Sequence, residues 1–321
     1  MKRVALALAL AACTQQLDAP HSVPAAVPSA PVSAAPSATA TPSAIPVDAT
    51  VDAPGPSLEQ DVEARIKGAH GRFGNAARVA PVGGLFVLVD VPGNGALFVR
   101  AKDLLERALP ALYDGKLARR PDRAVTVLLF STAPAYREYA GAVTAEAGLP
   151  YGMFLPGPRE IAVDLSLGPE SFKTLTHEAV HVLMDADFPE ARDWFREGLA
   201  SYFEEPVFGA DGSIRGAPKN WRHATLLAAL GTPGDRELVR LDRAFGLTGK
   251  ALREGSERVR AIDYALVRSV CAWMESRGRL WEFYRAYREG WRDDASGMKA
   301  FAAVMGGTPK EMEGEWLRWV R

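Results

Sequence analysis

Residues 177 to 181 read His177-Glu178-Ala179-Val180-His181. Residues four apart on a helix lie about 40° from each other around the axis, so two imidazoles there can clamp one metal ion, with Glu178 alongside to take a proton from an attacking water. This is the H-E-x-x-H pattern of zinc sites. The alternative is a helix carrying two ordinary core or surface histidines, and helix geometry separates the two. At about 100° per residue, Phe172, Leu175, Ala179, Val182, Leu183 and Ala186 cluster on one side, and both histidines fall roughly opposite. Core histidines would sit inside the apolar stripe. The helix is therefore expected to pack one face on the core and present His177 and His181 to a cleft.

A catalytic zinc needs a third protein ligand and an open fourth position. The stretch Trp194-Phe195-Arg196-Glu197-Gly198-Leu199-Ala200-Ser201-Tyr202-Phe203-Glu204-Glu205 is also helical in pattern. Phe195, Leu199, Tyr202 and Phe203 share one face, and Glu197, Ser201 and Glu204 the other. Two helices joined by Asp187-Phe188-Pro189-Glu190 can form a hairpin in which Glu197 looks toward the histidines.

HEAVH followed by WFREGLASYFE resembles the gluzincin metallopeptidases of the MA clan, and most of all the bacterial peptidase MA-like families, which join H-E-x-x-H to a W-x-x-E-G-x-A-x-Y helix. The likeness extends upstream to Tyr151-Gly152-Met153-Phe154 and Arg159-Glu160-Ile161-Ala162-Val163, similar to the strand that lines the cleft in those families. Downstream it reaches helices carrying Tyr264 and Trp316, so it spans about residues 75 to 321, but only the two ligand helices are specific. The resemblance implies a zincin-like fold with His177, His181 and Glu197 on zinc (Zn2+) and Glu178 as general base. It also implies an oxyanion donor, usually Tyr or His, for which Tyr264 and His223 are the candidates. Tyr264 shares a helical face with Arg268 and Glu275, which fits a polar cleft and equally a tyrosine snorkelling to the surface, whereas His223 reads as a surface or packing residue. Some relatives place an Asp four residues after the third ligand to orient a histidine; here Ser201 stands there, and Ser201 or Glu204 is expected to take that place. A G-A-M-E-N-like motif is absent from the chain, which disfavours an aminopeptidase.

The elements that must position these residues follow from hydrophobic period. Leu85 to Val91, Ala124 to Phe130 and Ile161 to Leu165 read as strands, the last half-exposed near a sheet edge with Ala162 and Asp164 outward. Ala96 to Tyr113 and Ala135 to Val143 read as helices. Beyond residue 170 the pattern is almost all helical, apart from a hairpin expected at Asp211-Gly212. Cys271 lies in the apolar helix Ile262 to Met274 as a small core residue, and Thr308-Pro309-Lys310-Glu311 opens a last helix with a capping box. The expected class is α+β: a small mixed sheet with an edge strand over the active-site helix, then a mostly helical half.

Of 321 residues, 48% are apolar and 24% charged, ordinary values for a globular protein. Removing the first 57 residues takes two basic and three acidic groups from totals of 38 and 39, leaving 36 of each. A neutral body without Lys/Arg runs disfavours nucleic acid as a partner. Residues 1–13 combine a basic start, the apolar run Val4 to Ala12 and Cys13, as in a secretory signal. Leu10-Ala11-Ala12-Cys13 resembles the lipobox of bacterial lipoproteins, which implies export and a lipid anchor on Cys13; Thr14 after it favours the outer membrane in a Gram-negative source, so the expected location is the outer membrane and periplasm or the cell surface. Residues 14–57 hold nine prolines and no aromatic residue, the composition of a disordered tether reaching on the order of 140 Å. Residues 58–321 are expected to be one metallopeptidase domain. The expectation is an envelope-anchored zinc peptidase acting on peptide or protein substrates, with the strand near Ile161 pairing with an extended peptide. Its rivals are a non-catalytic zincin serving as a tethered binding or assembly module, and a metal-dependent hydrolase of non-peptide bonds.

Overall fold

Strands in the first half alternate their buried side chains between two helical layers, and this sets the architecture. The computed structural model describes residues 56–91, 93, 95–144 and 151–321; the expected signal peptide, Cys13 and tether lie outside them. The chain runs α1 (Leu58–Phe73), β1 (Val79–Val82), β2 (Phe86–Val91), α2 (Gly95–Tyr113), β3 (Val125–Phe130), α3 (Ala133–Val143), β4 (Gly152–Leu155) and β5 (Glu160–Asp164). A 3-10 turn (Leu165–Glu170) leads into α4 (Ser171–Asp187) and α5 (Asp193–Tyr202), followed by the hairpin β6 (Pro206–Phe208) and β7 (Ile214–Gly216). The remainder is helical: α6 (Trp221–Gly231), the short α7 (Pro233–Arg236), α8 (Leu241–Ala244) and α9 (Gly249–Arg253), then α10 (Glu257–Ser276), α11 (Leu280–Gly290), α12 (Met298–Met305) and α13 (Pro309–Val320). The class is α+β, with a small mixed sheet and a mostly helical second half.

The sheet order is β1-β2-β3-β5-β4, with β2, β3 and β5 parallel and both edge strands antiparallel to their neighbours. In β3, Val125, Val127 and Leu129 face the layer containing α2 and α4, while Leu128 and Phe130 face the layer containing α1 and α3. A strand covered on both faces reads as a continuous apolar run, which is how this one appears in sequence.

The same arrangement corrects one expectation. Ile161 and Val163 do alternate with Ala162 and Asp164, but β5 is an interior strand and all four are buried. Tyr136 and Tyr139 of α3 cover the face assigned to solvent, packing in one cluster with Ala162. The edge belongs to β4, and β5 ends at Asp164, with Leu165 already in the 3-10 turn.

Local chemistry sets where α4 begins and ends. Asp164 Oδ1 accepts from the Ser166 N–H at 2.8 Å, opening the turn, and Gly168 at φ 65° takes the left-handed conformation that lets the chain swing into the helix. At the other end Asp187 is buried and fully bonded. It accepts from the Ala118 and Arg119 N–H groups (3.1 and 2.7 Å), the Tyr284 hydroxyl (2.8 Å) and the Arg288 guanidinium (2.7 Å). A buried carboxylate with this many donors ties α4 to the loop after α2 and to α11. The α13 capping box forms as expected from Thr308 and Glu311, and Gly212 turns the β6–β7 hairpin at φ 81°.

Candidate metal centre

The apolar stripe of α4 meets the sheet and the second half of the molecule through Leu175, Ala179, Val182 and Leu183, all buried. His177, Glu178 and His181 are half-buried on the other side. The five residues after Asp187 reverse the chain, with Phe188 buried edge-on against Tyr287 at 4.9 Å between ring centroids. Behind α5, Trp194, Phe195 and Leu199 are buried, and Gly198 lets the helix approach α10 closely: a Cβ there would lie 2.8 Å from the Val267 carbonyl and 3.1 Å from Cys271 Sγ. Cys271 is accordingly a core residue, its thiol pushed up by burial.

This packing brings His177, His181 and Glu197 together as a group able to hold a metal ion. Nε2 of His177 lies 3.0 Å from Nε2 of His181; Oε2 of Glu197 lies 3.3 Å from the first and 3.6 Å from the second. In a tetrahedral site with metal–ligand bonds near 2.0–2.1 Å, ligand atoms are about 3.3 Å apart. The three separations bracket that value. The donor set of two imidazoles and one carboxylate also suits a borderline metal such as zinc.

Electrostatics are those of a site arranged around positive charge. Burial pulls the His177 pKa down, but Glu197 and Glu204 outweigh it and hold it up at about 10. Burial likewise pushes Glu197 up, and the two histidines overcome this and hold it well below the usual carboxylate range. Glu178 is raised, chiefly by burial, although both histidines and the Phe154 N–H, which donates to its carboxylate, pull the other way. A glutamate displaced upward is better matched to accepting a proton near neutral pH.

Glu204 lies behind the first histidine. Its Oε1 is 3.2 Å from His177 Nδ1, at hydrogen-bond distance but with the ring N–H not aimed straight at it. Arg222 grips the same carboxylate through two bonds, Nε to Oε2 at 2.8 Å and Nη2 to Oε1 at 2.6 Å. Burial opposes ionisation of Glu204, yet Arg222 and His177 bring its pKa down to about 2. A carboxylate behind a ligating histidine fixes the ring's orientation and raises its basicity. Of the two expected candidates, Glu204 takes this place. Ser201 is buried, with no hydrogen-bond partner for its hydroxyl among the described residues.

Tyr264 is half-buried on α10, its ring 5.1 Å from the Arg222 guanidinium carbon. Burial raises its phenol pKa, and the charges of Glu197 and Glu178 raise it further, so it remains a proton donor at neutral pH. His223 is buried, its two ring nitrogens without a hydrogen-bond partner among the described residues, edge-on to Trp319 at 6.0 Å, as a packing residue.

Sequence reasoning missed two contributors. Arg222 belongs to α6, and nothing in its local pattern signals that α6 lies against Glu204. Phe154 acts through its backbone N–H, which carries no residue signature. The β4–β5 register pairs Met153 with Ala162 and Phe154 with Ile161, and the Asp164 N–H bonds to the Tyr151 carbonyl at 2.9 Å. Alternation along the ladder then turns the polar groups of Gly152 and Phe154 away from β5, toward the open edge. No protein-family model matches this chain, and no curated protein matches it.

Proposed function

We propose that the protein is a zinc metallopeptidase of zincin-like fold, anchored in the bacterial cell envelope by a lipid on Cys13. The observation that carries this is the triangle of His177 Nε2, His181 Nε2 and Glu197 Oε2, with sides of 3.0, 3.3 and 3.6 Å, with Glu178 next to His177 in the chain. Zinc held there would act as a Lewis acid on the scissile carbonyl and on the attacking water. Glu178 takes the proton from that water and returns it to the leaving amine, a role its raised pKa suits. Tyr264 donates to the developing oxyanion. Glu204, braced by Arg222, holds the ring of His177. The outward edge of β4, through the polar groups of Gly152 and the Phe154 carbonyl, pairs with an extended substrate, replacing β5 in the role expected from sequence.

The test is metal content. Purified wild-type protein is expected to hold one zinc per chain, and His181→Ala to lose it together with the thermal stabilisation that binding confers. A His181→Ala protein with undiminished zinc would remove the site.

A further inference from the structure

Beside the candidate metal centre a groove of about 420 Å³ opens between α2 on one wall and the start of α4 with the turn from α5 into β6 on the other. Its charges divide into those already engaged and those left free. Lys173 is bound by Glu170 at 2.7 Å and by Glu205 at 2.9 Å, and Glu204 is held by Arg222. Arg100 and Arg107, both exposed on α2, have no carboxylate partner among the described residues. Each lies on an aromatic face instead: Arg100 on Phe172 at 5.3 Å and Arg107 on Phe208 at 4.1 Å. Stacking of this kind orders a guanidinium while leaving the N–H fork at its rim free to take a carboxylate in two bonds. The lining as a whole is charge-balanced, with Arg100, Arg107 and Lys173 against Asp103, Glu204 and Glu205, so the attraction for an anion is local to the two arginine forks that no carboxylate occupies. The groove flanks the centre from behind: Glu204 lines it and stands 3.2 Å from His177 Nδ1, on the side of the ring away from the Nε2 of the candidate metal group, and Lys173 is one helical turn before His177 on α4.

We propose that this groove is a specificity subsite for acidic side chains of an extended peptide, with Arg100 and Arg107 as the residues that read them. Its use in selecting substrates, as a flanking subsite rather than at the scissile bond, rests on the peptidase function proposed above; its preference for acidic peptide does not. Arg100 and Arg107 are seven residues apart, two turns or about 10.5 Å along the helix. In an extended chain the side chains two or four apart share a face, about 6.7 or 13.4 Å from each other, a range two long arginine side chains rooted about 10.5 Å apart can span, so the pair can engage two carboxylates of one alternating acidic stretch.

The experiment reads binding on the full chain, zinc-loaded and carrying Glu178→Gln to prevent turnover. The probes are a fluorescein-labelled decapeptide of alternating Glu and Ala and its counterpart with Gln for Glu. Fluorescence anisotropy should show the acidic probe binding about tenfold more tightly. Arg100→Gln/Arg107→Gln should erase that difference without weakening the neutral probe, and added salt should erode it in the parent protein. Both substituted residues are exposed, so the fold is expected to persist, checked by an unchanged melting temperature. Equal affinity for the two probes, binding of neither, or an acidic preference that survives the double substitution would overturn the proposal. Cleavage of a neutral peptide by wild type without acidic preference would sink the subsite and leave the peptidase standing. Acidic preference in binding with no cleavage of any peptide would do the reverse.

Discussion

His177 stands between two carboxylates, Glu197 at 3.3 Å and Glu204 at 3.2 Å, and without a metal these hold a proton on it. Its pKa is raised from 6.5 to about 10, so its contribution to stability is fully present below pH 6.5 and is lost as pH rises through about 10. Glu204 has the opposite sign. Its pKa falls from 4.5 to about 2, so its contribution is present above pH 4.5 and is lost as pH falls through about 2. For these two groups together, the metal-free protein should be most stable between pH 4.5 and 6.5. Zinc needs the neutral imidazole and must displace the proton, so its apparent affinity should rise with pH by up to about tenfold per unit as far as about pH 10, and level off above it. Calorimetric titration in buffers of different ionisation enthalpy should register proton release on binding. Heats independent of the buffer, with an affinity flat in pH, would contradict this.

Two elements, α4 and α5, carry all three residues of the candidate metal group, and the close approach of α5 to α10 sets where Glu197 points. Gly198 is the point of closest approach. In an exposed helix Gly→Ala would stabilise by up to about 1 kcal/mol. Here the new Cβ meets the Val267 carbonyl at 2.8 Å, so Gly198→Ala should instead destabilise by about 1–3 kcal/mol and weaken zinc binding by displacing Glu197. Chemical denaturation and competitive metal titration measure the two effects; a more stable variant with unchanged zinc affinity would contradict the packing. The ligand helices were legible because their information is local: a four-residue spacing in α4, and in α5 an apolar stripe opposed to Glu197, Ser201 and Glu204. What was not legible depends on distant elements meeting. The cover of α3 over Ala162 and Asp164 hid the burial of β5. Strand β1 was missed because Val79–Val82 is short and carries Pro81, and α1 because it buries only Val62 and Ala69 on an otherwise polar helix. The bond from Arg222 to Glu204 joins residues 18 apart across a hairpin, a pairing that no period encodes.

At the scale of the whole molecule, the described residues from 56 onward gather into one compact unit in which the sheet-and-helix half supplies Glu178 and the histidines, and the helical half backs α5 and supplies Tyr264. Among the described residues no helix is long and apolar enough to cross a membrane, so attachment through Cys13 stands as a separate proposal. Cys13→Ser should move the protein from the membrane fraction to the soluble fraction, and limited proteolysis should cut within residues 14–57, whose composition gives them no core. Sedimentation of Cys13→Ser with membranes would place the anchor elsewhere. The central claim is catalysis, and Glu178 isolates it because Glu178→Gln keeps the side chain's shape and all three ligands. Wild type and Glu178→Gln should carry the same zinc and melt alike, while cleavage of a peptide library by the variant falls about 100-fold to 10,000-fold. A zinc-loaded, folded wild type that cleaves no peptide, or a Glu178→Gln variant that cleaves as fast as wild type, would contradict it.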